Sequence, residues 1–434
     1  MGNDAPGRTG NDRPDRSDQQ LEVRAITEEE LPVWDRAIAR GFLRPHVGDG
    51  TEVRRLSFQP GRYLAAFDHS DGGRCVATFR SYDSELTVPG GAALPVDAIT
   101  AVTVNSTHRR RGLLSRMMCR DLAAARERGS LAAILVAAEY NIYGRFGFGP
   151  ATRGHGWRVD VLRSGGLRAD LPVPTGGRID FLTPEEVRKF GPELHERWRL
   201  TQPGAITRPA VWWKLQTGEL TLPGLDWKEG FTAVHRDAQG TITGLVRYSI
   251  EDIWDGAYPN CTLHVQDFLA LDRPTANALW KLAFSVDWVK QVCALNIGID
   301  DPLPLLLNDP RGAKPHEDNF DFMWLRLLDV PGAFAARTYA APGRIVLQVT
   351  DPEGWAEGRW ALETAADGTG SCRPTEEPAD LALGVSELGS LYLGTESAVR
   401  LAAAARVTEL RPGGAAKADL LLRTPTQAWN PDSF

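Results

Sequence analysis

What this chain has little of narrows its chemistry first. Its 434 residues include five cysteines, four methionines and eight histidines. Cys75, Cys119, Cys261, Cys293 and Cys372 are scattered, odd in number and free of C-x-x-C spacing. That argues against a disulfide framework or a Cys-rich zinc site and for a reducing, cytoplasmic home. The histidines form no H-E-x-x-H or other paired ligand spacing, so no metal is expected. No apolar run approaches the roughly 20 residues that span a bilayer, and the N-terminus carries no apolar signal segment. A basic excess is missing too: the formal net charge is −7, so no global basic surface suggests nucleic acid. Motifs of the G-x-x-x-x-G-K-[ST], G-x-G-x-x-G and G-x-S-x-G types do not occur. Their absence disfavours a P-loop nucleotide, a Rossmann dinucleotide and a serine hydrolase.

What is present is an ordinary globular composition, 42% hydrophobic and 24% charged, in a chain long enough for about two or three domains. Residues 1–20 contain almost no apolar side chain and are expected to be a disordered tail. Leu21, Val23 and Ala25 alternate with charged residues as a short strand. Thr27 with Glu30 reads as a capping box opening a helix that runs to about Arg40. Strands are expected at Tyr63 to Phe67, Arg74 to Tyr82 and Glu85 to Val88. Near Gly177 the pattern restarts. A strand at Arg178 to Leu182 leads into Thr183-Pro184-Glu185-Glu186, a second capping box. Strands at Phe231 to His235, Ile242 to Ile250 and Leu263 to Leu271 follow, then a helix from Thr275 to Trp288 and a strand from Val292 to Ile299. The element order repeats, which suggests a duplicated α/β (α+β) fold. Beyond Phe322 come strands at Arg344 to Val349 and Arg359 to Glu363 and helices at Ser386 to Leu393 and Ser397 to Ala405.

The most informative stretch is Ala98 to Gly149. A β-branched run, Ile99 to Val104, precedes a basic turn, Arg109-Arg110-Arg111-Gly112. A helical pattern follows, with Leu113, Leu114, Met117, Met118, Leu122 and Ala125 spaced by three and four. A second apolar run, Leu131 to Ala138, leads to Tyr143-Gly144-Arg145-Phe146-Gly147-Phe148-Gly149. Strand, glycine turn and helix N-terminus aim unpaired backbone N–H groups and the positive end of the helix dipole at an anion. Three arginines add charge and forked donors, which suits a pyrophosphate. At the equivalent place the second half has Asp272-Arg273-Pro274-Thr275. An acid and a residue without an N–H make a poor phosphate cradle there.

Val102-Thr103-Val104 with Arg109 to Leu114 resembles the acetyl-CoA signature R/Q-x-x-G-x-G/A of GCN5-related N-acetyltransferases, with Leu114 at the last position. Together with Ile142 to Thr152, Arg326-Leu327-Leu328-Asp329-Val330-Pro331, Gly389-Ser390-Leu391-Tyr392-Leu393-Gly394 and the terminal Phe434, the chain resembles the Eis (enhanced intracellular survival) family. The resemblance implies a catalytic acetyltransferase domain over residues 21–165 and a degenerate acetyltransferase-like domain over 166–320. A sterol-carrier-protein-like α+β domain over 321–434 and assembly as a homohexamer are implied too. It further implies that Val102, Thr103 and Val104 bind the pantetheine arm of acetyl-CoA. Arg109, Arg110, Arg111, Gly112, Leu113, Leu114 and Ser115 take the pyrophosphate turn, and Ala138 and Glu139 line the cofactor.

Two catalytic roles follow from the same resemblance. Tyr143 is the general acid, its phenol of reference pKa about 10 returning a proton to a thiolate of about 8.5. The C-terminal carboxylate of Phe434 is the general base, made more basic than a free terminus by burial. Tyr140 is a neighbouring decoy, and His108 a structural or phosphate-side residue. The expected activity is direct transfer of acetyl from acetyl-CoA to a primary amine of a cationic acceptor (aminoglycoside-like, polyamine or lysine). The competing expectation is a non-catalytic CoA- or lipid-binding assembly protein.

Overall fold

The computed structural model describes residues 20–48, 50–224, 226–316 and 320–434. The expected disordered tail, except Gln20, lies outside the described residues. Two compact units are formed, Met1–Ser81 with Ala101–Asp121, and Tyr82–Thr100 with Leu122–Phe434. The chain passes from one to the other within long strands and one helix.

In the first unit, β1 (Leu21–Ala25) leads to the expected capping box of Thr27 and Glu30. Helix α1 (Leu31–Gly41) then buries Leu31, Trp34, Ala37 and Ile38, positions spaced by three and four on one face. The Trp34 indole N–H donates to the Leu64 carbonyl at 3.0 Å, fixing the helix to β2 (Tyr63–Asp68), a strand buried along its whole length. β2 pairs antiparallel with β1 and with β3 (Arg74–Thr87). β3 is one continuous strand where two had been expected. Asp83-Ser84 reads as an interruption, but the backbone there is held in extended form by a distant segment. Thr87 N–H donates to Ala205 O at 2.8 Å and Thr207 N–H to Glu85 O at 3.1 Å.

In the second unit a tight turn from Val88 to Ala92, with Gly90 and Gly91 at positive φ, joins β3 to β4 (Ala93–Val104). Helix α2 (Leu113–Glu127) follows the basic turn as expected. Val96–Ile99 of β4 pair in parallel with β5 (Ala132–Val136). After a one-turn helix, α3 (Tyr140–Tyr143), comes the short β6 (Gly149–Pro150).

A seven-stranded sheet follows. Its strands in chain order begin with β7 (Trp157–Asp160), well ahead of Gly177, and β8 (Arg178–Leu182). Helix α4 (Pro184–Arg199) opens with the Thr183–Glu186 capping box, and α5 (Ala210–Gln216) follows. Then come β9 (Phe231–Arg236), β10 (Ile242–Glu251), β11 (Cys261–Ala270), α6 (Arg273–Ser285), β12 (Val289–Ala294) and β13 (Ala313–Pro315). The sheet order is β13-β7-β12-β11-β10-β9-β8. β12 and the end of α6 lie earlier than their apolar patterns suggest. Beyond Ala294 the chain leaves the ladder, and Asn296 bonds to the end of the chain instead.

β14 (Met323–Leu327) returns to the first half and lies between β5 and β6, antiparallel to both. The last part packs α7 (Val330–Ala336), α8 (Val385–Tyr392), α9 (Ala398–Ala403) and α10 (Gly414–Leu422) with a five-stranded sheet. That sheet is β15 (Gly343–Thr350), β16 (Gly358–Thr364), β17 (Gly370–Pro374), β18 (Leu381–Gly384) and β19 (Val407–Glu409), ordered β17-β16-β15-β18-β19. One apolar cluster runs from Val96 and Ile134 through Leu325 to Ile345, Leu388 and Leu421, so β5, β14 and this last part share a core.

Candidate active site

In the first unit, the end of β4 and the turn after it carry the residues expected to hold the cofactor. Ala101 sits at φ +54°, a left-handed residue inside a strand, and its carbonyl accepts from the Thr78 hydroxyl at 2.9 Å. The Thr78 and Thr103 hydroxyls lie 2.7 Å apart. These bonds tie the end of β4 to β3 around its one left-handed residue. Thr103 is buried, and Val102 and Val104 are half-buried. Asn105 N–H donates to Val76 O at 2.9 Å, which ends the strand.

The turn that follows is built on positive φ. Arg110 (φ +65°) and Gly112 (φ +72°) are left-handed, and a Cβ at Gly112 would meet nothing within 4 Å. Gly112 is therefore needed for the path of the backbone rather than for packing. Arg109 and Arg110 are exposed and Arg111 half-buried, while Leu113 is buried and Leu114 and Ser115 are half-buried. Leu114 thus sits at the edge of the turn, where a larger residue than glycine or alanine meets no core. His108 is taken up structurally: Nε2 lies 2.9 Å from Asp68 Oδ2 and Nδ1 2.8 Å from Thr107 Oγ1. That hydrogen bond, with those from Ser70, holds the Asp68 carboxyl down at about 2. The segment from Gly41 to Val53 is tied to α1 by Asp35, which accepts from Arg54 and from Gly50 N–H and lies 3.5 Å from His46.

In the second unit, Ala138 and Glu139 are exposed just beyond β5, and Glu139 is the residue before α3. Tyr143 ends that turn and is 7% exposed, its ring edge-on to Phe148 at 6.4 Å. Burial, with the charge of Glu139, pushes the phenol up to about 12. Tyr140 is exposed, its ring 5.0 Å from Trp324.

The glycines after Tyr143 are set by close approach. Gly147 has φ +81°, and a Cβ there would collide with Arg326 and Val385; at Gly149 it would collide with the Ser386 carbonyl, and at Gly389 with the Leu325 carbonyl. Arg326 donates to the Phe146 carbonyl and makes a two-pronged pair with Asp351 at 3.0 and 3.1 Å. Both side chains of that pair are fully buried. The motifs around residues 146–149, 326 and 385–389 are therefore one packed junction, which seats the Tyr143 turn on β14 and α8.

The end of the chain is held rather than frayed. Trp429 N–H donates to Pro203 O at 2.8 Å, its indole N–H to Asn296 Oδ1 at 3.1 Å, and Asn296 Nδ2 donates to Pro431 O at 2.9 Å. Asn430, fully buried, closes a local loop with Asp432. Phe434 is half-buried, its ring edge-on to Tyr82 at 6.3 Å and packed on the apolar cluster beneath α8. Tyr82, Asn296 and the Asp432 anchor carry no local signal that marks them in the sequence. In the second domain, Asp272 accepts from Thr275 N–H at 2.7 Å, so the helix end that would face a phosphate is capped by its own side chain. Among the described residues no cluster of three or more His, Cys, Asp or Glu is placed to hold a metal ion, and no helix is long and apolar enough to cross a membrane.

Comparison with known proteins extends this picture. Family models described as acetyltransferase (GNAT) domains match residues 22–151 and 204–327, and a sterol carrier protein domain matches 330–431. The chain is therefore two GNAT domains followed by a sterol-carrier-protein-like domain, as expected from the duplicated element order and the resemblance. An uncharacterized N-acetyltransferase of Streptomyces avermitilis is 49% identical over 426 residues, covering 97% of this chain and 100% of that protein. N-acetyltransferase Eis of Mycobacterium tuberculosis is 36% identical over 373 residues, 84% of this chain and 87% of that protein. The crystal structure of Eis1 from Mycobacterium abscessus superposes with a TM-score of 0.81 at 30% identity, covering 95% of this chain and 100% of that one.

Proposed function

The chain belongs to the Eis family of GCN5-related N-acetyltransferases, and from that premise we propose that it moves acetyl from acetyl-CoA directly to a primary amine of a cationic acceptor, of the aminoglycoside, polyamine or lysine class. The N-acetyltransferase class follows from the family, and GNAT domains imply acetyl-CoA as co-substrate. The roles of residues are the proposal. Val102, Thr103 and Val104 receive the pantetheine arm along the end of β4. Arg109 to Ser115 receive the pyrophosphate at the N-terminal end of α2, where the helix dipole favours an anion. Ala138 and Glu139 border the thioester end.

An alkyl ammonium must lose its proton before it can attack. The Phe434 carboxylate accepts that proton, the nitrogen adds to the thioester carbon, and the C–S bond breaks. Tyr143 gives its proton to the departing thiolate, and the second proton, released by the acylated nitrogen, restores the phenol. No covalent enzyme intermediate is required. The observation that carries this reading is the tail: a chain end held residue by residue from Trp429 to Asp432 suits a terminal carboxylate with work to do.

The proposed division remains residues 21–165, 166–320 and 321–434, with β7 and β14 lent across the boundaries. We also propose a cytoplasmic homohexamer, in keeping with five cysteines that form no disulfide and the family resemblance; light scattering of the purified protein tests the assembly. The reaction is tested by thiol release from acetyl-CoA with a panel of amines. Deleting Phe434, or extending the C-terminus with a tag, should abolish turnover while acetyl-CoA still binds. Normal turnover by the tagged chain would remove Phe434 as the base.

A further inference from the structure

The degenerate acetyltransferase domain has a charged centre that the reaction, as so far described, does not use. Arg208 lies between the segment Gly204–Thr207, which begins in a turn, and α5. Its side chain is 2% exposed. Nη1 and Nη2 donate to the two Asp267 oxygens at 2.8 and 3.0 Å, and Nε donates to both Asp432 oxygens at 3.0 Å. Trp212 covers the guanidinium, 4.0 Å from ring centroid to Cζ. Both carboxylates are nearly as buried as the arginine. Asp267 comes from β11 of the second domain, whereas Asp432 comes from the third residue from the end of the chain.

A buried arginine with two buried carboxylates is an expensive arrangement if its role is stability alone, because desolvation offsets much of the attraction. What the arrangement does supply is position. Only Ser433 separates Asp432 from Phe434, so the terminal carboxylate can stray from the anchor by no more than about 7 Å of extended chain. Arg208 is itself fixed from the other side. Gly204 N–H donates to Thr87 O, Thr87 N–H to Ala205 O and Thr207 N–H to Glu85 O, and the Thr207 and Ser84 hydroxyls are 2.9 Å apart. That segment is stitched along the same end of β3 that carries Tyr82, whose ring meets Phe434. One end of β3 therefore carries both the brace for the anchor of the tail and the contact of its last ring.

We propose that Arg208, braced by Asp267, is a positioning residue that latches Asp432 and so fixes the Phe434 carboxylate where it accepts the amine proton. On this proposal the second domain, although without a phosphate turn, completes the active site of the first by holding its base. The proposal rests on Phe434 being the base, and the experiment separates the two. Asp432→Asn keeps the size of the side chain and removes its charge; Arg208→Lys keeps the buried charge and removes the fork. Each is measured with acetyl-CoA and with spermidine and kanamycin as acceptors, beside a chain lacking Phe434 and a thermal melt of every variant.

Misplacing a catalytic group by about 1 Å can cost about a hundredfold in rate. Asp432→Asn should therefore lower kcat by about 10- to 100-fold, leave the KM for acetyl-CoA unchanged and shift the acidic limb of the kcat–pH profile. Arg208→Lys should fall between it and the wild type. Carboxypeptidase should release Phe434 faster from Asp432→Asn than from the wild type, a readout that does not depend on chemistry. Wild-type kcat in Asp432→Asn beside an inactive Phe434 deletion overturns the latch, and so does an unchanged rate of Phe434 release. An active Phe434 deletion overturns the base reading, while Phe434 release still reports whether Arg208 holds the tail.

Discussion

Tyr143 is a tyrosine whose surroundings keep its proton on. Burial first, and the Glu139 charge second, push the phenol up to about 12, so it remains an acid throughout the range in which the protein can be assayed. Its own titration therefore imposes no alkaline fall in kcat until the pH nears that value. Any fall observed earlier belongs to another group. Tyr143→Phe keeps the ring against Phe148 and removes only the proton donor. It should lower kcat by about 10²- to 10⁴-fold with acetyl-CoA binding intact, measured by steady-state kinetics and by titration of CoA binding. Two glycines distinguish conformation from contact at the same scale. Gly112→Ala places a methyl in open space at φ +72°, so its stability cost is the left-handed strain of about 1–2 kcal/mol. Its larger effect should be a raised KM for acetyl-CoA. Gly149→Ala instead drives a Cβ into the Ser386 carbonyl, and it should cost more in a chemical melt while touching no cofactor contact.

At the scale of elements, local signals were readable and distant pairings were not. The capping boxes at Thr27 and Thr183 need only residues three apart, and both formed. The glycine turn before α2 was legible for the same reason. Asp83-Ser84 was misread because what keeps β3 extended there is a segment more than a hundred residues away. The Arg208–Asp432 pair, 224 residues apart, leaves no pattern at either end. Helix α4 carries another feature that periodicity does not distinguish from ordinary core. His195 is 2% exposed, between Trp198 and Trp213, and its Nε2 is buried with no hydrogen-bond partner. Burial, aided by the nearby Arg208 charge, holds it down at about 3. Between there and the unfolded value near 6.5 the unfolded chain binds a proton that the folded chain refuses. Stability is therefore unaffected by His195 above about pH 6.5 and falls as the pH drops below it, by up to about 1.4 kcal/mol per unit. Urea midpoints from pH 7 to 5 should show that slope, and His195→Phe should flatten it.

At the scale of the whole molecule, the three domains are sequential in the chain but not in the sheets. β14 follows the second domain in sequence, yet it lies between β5 and β6 of the first GNAT domain. Met323, Trp324, Leu325 and Leu327 on it are each 2% exposed or less. Burying one such side chain is worth about 1.5–3 kcal/mol, so the four together are worth about 6–12 kcal/mol, comparable to the 5–15 kcal/mol that holds a typical domain folded. Without β14, β5 and β6 would also present unpaired strand edges. Gly149 and Gly389, which let β6, β14 and α8 approach closely, would lose the surface for which they are shaped. A fragment of residues 21–165, although it contains the whole acetyl-CoA signature and Tyr143, should therefore fail to fold alone. It should aggregate on expression or show no cooperative melt, while the full chain melts cooperatively. Adding residues 320–328 through a flexible linker after residue 165 restores β14 without the rest. If strand pairing is the main deficit, that chimera should regain a cooperative melt while remaining inactive for want of Phe434. A well-folded 21–165 fragment would show instead that β14 is dispensable to the sheet of the first GNAT domain.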